Sequence, residues 1–197
     1  MPGARYRDRI ASLVRSWLGR GSRRSAQAPA SGAGGRRHVV VVGGGFAGVQ
    51  VVRGLRHAPV EVTLVDRQNF TLFQPLVYQV AAGALTPAEI ATPLRALFRR
   101  QRNARVVLAD VTGFDLERCE VQLDRRPTEQ GPTTLGYDTL VVAGGSRYSY
   151  FGHDQWRTHA PELKSLAGAL DIRGRILAAF EAAELEPDPD RRRPPRT

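Results

Sequence analysis

Four consecutive valines, Val39 to Val42, run straight into Gly43-Gly44-Gly45-Phe46-Ala47-Gly48, and no other feature constrains this chain as much. A continuous apolar run suits a strand buried on both faces. The glycines call for an abrupt turn, and apolar spacing from Phe46 to about Arg56 is helical. Pro59 punctuates, and Val60 to Val65 supply a second strand that ends at Asp66, 18 residues after Gly48. Strand, Gly-rich turn, helix, strand is a βαβ unit.

Within that unit G-x-G-x-x-G has a physical reading. Gly43 permits the tight turn off the strand. Gly45 lacks a Cβ, so the backbone can approach a pyrophosphate, and Gly48 lets helix and strand pack closely. The phosphates would sit at the helix N-terminus, against free N–H groups and the positive end of the dipole. Asp66 would accept hydrogen bonds from a ribose diol. A glycine turn that serves packing alone is the competing reading, and the register of all these elements argues against it.

The remainder departs from an even strand–helix alternation. A long excursion from Asn69 to Asn103 carries Thr86-Pro87-Ala88-Glu89, a capping box with proline at the first helical position. Thr92-Pro93 opens a further helix to about Arg100. A third strand is expected over Arg105 to Val111. Short strands are expected around Cys119 to Leu123 and near Thr134, then a buried strand from Thr139 to Ala143 that ends in Gly144-Gly145. An NAD domain usually continues in regular alternation. This continuation resembles the FAD domains of two-dinucleotide-binding flavoproteins, in which a small β-meander replaces a crossover helix. The expected fold is therefore α/β, a Rossmann-like FAD-binding domain with a central parallel sheet and a small β-meander. Asp66 rather than an arginine at the ribose position speaks against NADP.

The blocks HVVVVGGGFAGVQVVRGL, VTLVDRQNFTLFQPLVYQVAAGALTPAEIATPLRALFRRQRNARVVLADV and YDTLVVAGGSRYSYFG resemble successive blocks of type II NADH dehydrogenases. LKSLAGALDIRGRILAAFEAAE is similar to the helical segment that follows in that family, and Phe73-Gln74-Pro75-Leu76 to Tyr78-Gln79 is more diagnostic than the glycines. The resemblance implies that Gly43, Gly45, Phe46, Ala47 and Gly48 line the FAD pyrophosphate. It implies that Asp66 binds the adenosine ribose, with Arg67 beside the adenine end, and that Val111 offers backbone hydrogen bonds to the adenine. Ala143, Gly144 and Gly145 would close over the dinucleotide, and Pro75, Leu76 and Gln79 would approach the flavin ring. For Leu76 and Tyr78, core packing is the alternative.

In that family NADH gives a hydride to the flavin and the reduced flavin passes two electrons to a membrane quinone. The cofactor carries the chemistry and protein groups position it. No side chain is expected to be catalytic and no metal site is expected, since His57 and His153 lack metal-ligand spacing. The single Cys119 excludes an internal disulfide framework or redox pair and is expected to be a small buried hydrophobe. A sulfide:quinone oxidoreductase is one rival reading, disfavoured because such enzymes rely on reactive cysteines. A non-catalytic dinucleotide-binding or membrane-surface protein is another.

Charge divides the chain. Residues 1–37 hold nine arginines against one acid, Asp8, whereas the other 160 residues hold 20 basic and 18 acidic side chains. The excess belongs to a basic tail, so nucleic acid is not an expected partner. Within that tail Ile10, Leu13, Val14, Trp17 and Leu18 fall at helical spacing, and residues 5–20 could lie on an anionic membrane surface. A disordered extension or a mitochondrial transit peptide is the alternative. The expected organisation is a flexible tail over 1–37, an FAD-binding domain over 38–159, a helix over 160–185 and a disordered tail over 186–197. Leu163, Leu166, Leu170, Leu177 and Phe180 are expected along one side of that helix. No second G-x-G-x-x-G in a strand–helix setting occurs. The expectation is an incomplete family member, truncated before the NADH-binding domain and inactive alone, with NADH and quinone as partners only if completed. The family also implies a cytoplasmic location, peripheral on the inner face of the cell membrane, with a mitochondrial one as runner-up.

Overall fold

The computed structural model describes residues 35–124 and 131–188. The apolar stripe of the basic tail and the proline-rich end beyond residue 188 lie outside the described residues. In chain order the elements are β1 (Arg37–Val42), α1 (Phe46–Gly54), β2 (Val60–Asp66), β3 (Phe70–Leu72), α2 (Val77–Ala81), α3 (Pro87–Ile90) and β4 (Ala91–Pro93). Then come α4 (Leu94–Phe98), β5 (Ala104–Leu108), β6 (Asp110–Asp115), β7 (Glu120–Asp124), β8 (Thr134–Gly136), β9 (Thr139–Val142) and α5 (Leu166–Leu185). They gather into two compact units. Of the described residues, the first takes 35–71 and 93–145; the second takes 72–92 and 146–188.

The first unit is built on a parallel sheet in the order β5-β2-β1-β9. Its central strands explain the unbroken valine run, because alternate residues enter different layers. Val39 and Val41, with Val62 and Leu64, pack against Val49 and Val52 of α1 and Leu94 and Phe98 of α4. Val40 and Val65 on the opposite face pack against Val121, Leu123, Leu135 and Tyr137, which come with the antiparallel meander β6-β7-β8. The meander thus stands between β5 and β9 where a crossover helix would otherwise run. Val40, Val41, Leu64 and Val65 are fully buried. Each such side chain contributes about 1.5–3 kcal/mol, so the centre of this sheet dominates the stability of the unit.

A buried polar link ties four strands of this unit together, β1, β2, β5 and β8. His38, 6% exposed, bonds through Nδ1 to the carbonyl of Gly136 at 2.7 Å and through Nε2 to Thr63 Oγ1 at 2.7 Å. A carbonyl only accepts, so Nδ1 carries the proton. Arg105 Nε donates to the same Thr63 oxygen at 2.7 Å, leaving the hydroxyl hydrogen for Nε2. Burial, which favours the neutral form, lowers the pKa of the ring below 6.5, helped by the nearby Arg105 charge and opposed by the Gly136 bond.

Two expectations for this unit need correction. The run Arg105 to Val111 is two strands, not one. β5 ends at Leu108, Ala109 N–H donates to Asp66 O at 3.0 Å, and β6 starts at Asp110 in the other sheet. A single apolar run serves both because Ala109 is buried where the chain turns between them. Cys119 is exposed rather than buried. It ends the β6–β7 hairpin turn at φ +54°, a left-handed position set by the turn, which Asp115 Oδ1 organises by accepting from Glu117 and Arg118 N–H at 3.1 and 2.9 Å.

The second unit has one small core, Val77, Val80, Ala81, Ile90 and Ala169, with Leu76 and Leu166 packed against it. The capping box before α3 forms as expected: Thr86 N–H and Oγ donate to Glu89 Oε2 at 2.6 and 2.9 Å. These bonds hold the Glu89 carboxyl below its ordinary range. The last helix starts at Leu166, not at Ala160. Ser165 is its N-cap, accepting from Gly168 N–H at 3.0 Å, and Glu162 accepts from the N–H groups of Lys164 and Ser165 at 2.8 and 3.1 Å. Of the apolar side expected for this helix, Leu166 reaches the core, while Leu170, Leu177 and Phe180 are exposed, as is Leu163 ahead of it.

Candidate functional site

Strand order decides where a site can form in the first unit. From β1 the chain moves to β2 and β5 on one side, then returns to β9 on the other. The order reverses between β1 and β9, and ligands of open α/β sheets bind beyond the carboxyl ends of strands at such a switch point. There lie Gly43, which follows β1, and Ala143, which follows β9; Ala143 N–H donates to Val42 O at 2.7 Å.

Each glycine of the loop meets a different neighbour. Gly43 has φ +103°, and a Cβ there would strike the Ala143 carbonyl. A Cβ on buried Gly48 would strike the Gly43 carbonyl, so the helix lies directly on the turn. Gly45 is the opposite case: it is exposed, and nothing lies within 4 Å of where its Cβ would be. It is the N-cap of α1, and no side chain caps that end. Phe46 and Ala47 are exposed beside it. Close packing at Gly43 and Gly48 thus holds a helix start at Gly45 that is open on the side where its Cβ would stand.

Asp66 stands at the mouth of this helix. Its Oδ2 accepts from Gly44 N–H at 2.5 Å and its Oδ1 from Gln68 N–H at 2.7 Å. Each oxygen retains room for a second donor, and the residue is partly exposed. Arg67 beside it is exposed. Gly44 was not among the residues singled out from sequence; it is a variable position of the pattern, and only the fold brings its N–H onto Asp66. Exposed Gly144 and Gly145, the latter at φ +66°, follow Ala143 at the switch point. Val111 lies in β6 opposite Leu123, where the ladder is irregular, two residues beyond the Ala109–Asp66 bond.

Pro75, Leu76 and Gln79 belong to the second unit. Pro75 is exposed in a 3-10 turn. Leu76 packs on the small core, and Gln79 Nε2 donates to the Tyr78 hydroxyl at 3.1 Å. Tyr78 is 54% exposed, so core packing does not describe it. Among the described residues no cluster of three His, Cys, Asp or Glu side chains could hold a metal ion.

Open space above Gly45 at the start of a helix, and carboxylate oxygens at Asp66, fit the diphosphate and ribose of a dinucleotide. Fold and site together define a Rossmann-like dinucleotide-binding protein. Residues 37–188 match the family model described as pyridine nucleotide-disulphide oxidoreductase, and the chain belongs to that family. It is 44% identical over 158 residues, 80% of this chain, to the type II NADH:quinone oxidoreductase NdhA of Mycobacterium tuberculosis, and 47% identical over 159 residues to Ndh of the same organism. It spans about a third, 33% and 34%, of the length of these curated relatives. Among solved structures, NDH2 of Plasmodium falciparum aligns over 79% of this chain and 32% of its own at a TM-score of 0.71 and 20% identity. The sulfide:quinone oxidoreductase of Aquifex aeolicus aligns over 74% of this chain and 32% of its own at 0.64 and 22%. At these identities the two structures share the fold.

Proposed function

We propose that this chain is the FAD-binding part of an oxidoreductase of the NADH:quinone kind. The observation that carries this reading is the open start of α1 at the switch point, with Asp66 bonded to its loop. In this reading the N–H groups opening α1 receive the pyrophosphate, with Gly43 and Gly48 shaping the turn and Phe46 and Ala47 flanking it. Asp66 keeps its bonds to Gly44 and Gln68 and accepts from ribose hydroxyls with its remaining lone pairs. Arg67 lies at the adenine end and Val111 meets the adenine edge through its backbone. Ala143, Gly144 and Gly145 close over the dinucleotide, and Pro75, Leu76 and Gln79 approach the ring. Bound flavin would supply hydride acceptance from NADH and electron delivery to a quinone.

The 197 residues carry one G-x-G-x-x-G unit of this kind. The nicotinamide nucleotide has no corresponding cradle among them, and we expect the chain alone not to turn over NADH with quinone. Steady NADH:quinone activity of the purified chain would contradict that. A place at the inner face of the cell membrane belongs to the same reading; among the described residues no helix is long and apolar enough to cross a membrane. The test is reconstitution with FAD followed by gel filtration and a visible spectrum. Co-eluting flavin bands, displaced by ADP and lost in Asp66→Ala, are expected. A folded protein that stays colourless at saturating FAD would overturn the proposal.

A further inference from the structure

The near-neutral balance of the folded part hides a strongly basic face at the far end of α1. The two segments 46–60 and 90–109 contain seven arginines and no Asp or Glu. Where the last turn of α1 meets the end of α4, Arg53, Arg56 and Arg100 line a cleft of about 350 Å³ with Leu97, Phe98 and Gln101. All three arginines are exposed, and among the described residues none has a carboxylate within ion-pair distance. Arginines at helix C-termini commonly serve the terminal carbonyls. Here other donors already serve several of them. Leu55 N–H donates to Val51 O at 3.1 Å, Arg56 N–H to Arg53 O at 3.2 Å, and Gln101 Nε2 to Val52 O at 2.8 Å. Asn103 Nδ2 donates to Leu55 O at 2.9 Å, and Gln101 N–H to Phe98 O at 2.8 Å. Three guanidinium groups thus share one cleft with no acid beside them among the described residues, and several of the nearby helix carbonyls already have other donors.

We propose that this cleft binds a phosphomonoester. A phosphomonoester carries about −1.5 to −2 charge near neutral pH, which offsets several arginines better than a single carboxylate. The planar guanidinium fork matches phosphate oxygens in paired hydrogen bonds. Leu97 and Phe98 in the lining offer apolar surface to the organic part of the ester. The site is separate from the dinucleotide cradle by the length of α1, roughly 13 Å at 1.5 Å per residue. The phosphate could arrive on a free metabolite or on a lipid headgroup.

The test follows arginine Nε–Hε resonances of the full chain during titration with inorganic phosphate, with each peak assigned by its loss in a single Arg→Gln variant. Shifts at Arg53, Arg56 and Arg100, with Arg118 unmoved as an exposed control, are expected. Affinity should fall about tenfold or more in Arg100→Gln, as loss of one charge-assisted hydrogen bond implies. In a second arm the chain is sedimented with phosphatidylcholine vesicles with or without phosphatidic acid. Arg100-dependent binding to phosphatidic acid alone, without a response to free phosphate, assigns the site to a lipid headgroup. Equal shifts at all exposed arginines, or binding by Arg53→Gln and Arg100→Gln as tight as by the parent in both arms, would overturn the proposal. The substituted side chains are exposed, and an unchanged urea midpoint checks that folding is not what changed.

Discussion

The two units reach order by different means. In the first, Val39 to Val42 and Val60 to Val65 bury both faces of a parallel sheet between helices and a meander, giving two cores. The second gathers five buried residues from α2, α3 and α5, and leaves Phe151, Ile176, Leu177, Phe180 and Leu185 exposed, 87% in the case of Phe151. The first sets Gly43 at φ +103°, which glycine adopts readily, directly against the Ala143 carbonyl beside the larger of the cores. The second relies on local devices, the Thr86–Glu89 box and the Ser165 cap. A site that needs rigid geometry belongs beside the more extensive cores, and the start of α1 lies there.

Substitutions can break this contrast or sharpen it. The largest effect is expected at Gly48→Val, whose branched side chain meets the Gly43 carbonyl. This clash is with backbone that cannot yield without moving the turn, which goes beyond ordinary overpacking of side chains, so the first unit should unfold or its urea midpoint drop steeply. Leu64→Ala comes next, at about 2–5 kcal/mol, lost cooperatively across the parallel sheet. Ile90→Ala in the second unit should instead release amide exchange protection in α2 and α3 while the sheet stays protected. If both substitutions melt both units together, the division is wrong.

A smaller effect concerns pH. His38 is held neutral with its pKa below 6.5, so the unfolded chain takes up the proton first as pH falls. The stability it lends is full above about pH 6.5 and is lost as pH drops from there toward its lowered folded pKa. Urea midpoints measured between about pH 7.5 and 5 should fall for the parent, and fall less in His38→Gln. The smallest expected effect is Thr86→Ala, about 0.5–1 kcal/mol, confined to the second unit and read from exchange around Pro87–Ile90. A global loss there would mean that the second unit is no weaker than the first.

Much of the first unit was legible because its signals are local. A valine run, a glycine turn and a helix with regular apolar spacing each lie within a dozen residues, and the irregular stretch before Thr139 points to a meander. What escaped depends on long-range partners. Nothing near His38 in sequence indicates Gly136 or Thr63, and nothing around Gly44 indicates Asp66. Ala109 follows an apolar run with no Gly or Pro directly after it, so the change of sheet there left only Asp110 as a mark. The helix boundary was misplaced because apolar spacing extends back past Ser165, whereas the capping bonds of Ser165 and Glu162 set the start. That residues 72–92 join residues 146–188 follows from Ala169 meeting Val77 and Val80, a contact across some ninety positions that no local pattern carries.

The most direct test compares FAD retention by the parent and by Gly45→Val in equilibrium dialysis. Gly45 has φ −76° and open space at its Cβ, so valine should leave the circular dichroism and urea midpoint nearly unchanged. Flavin retained by the parent and lost by this variant, with the fold intact, is the predicted result. Equal retention by both proteins would contradict the claim that the start of α1 cradles the diphosphate.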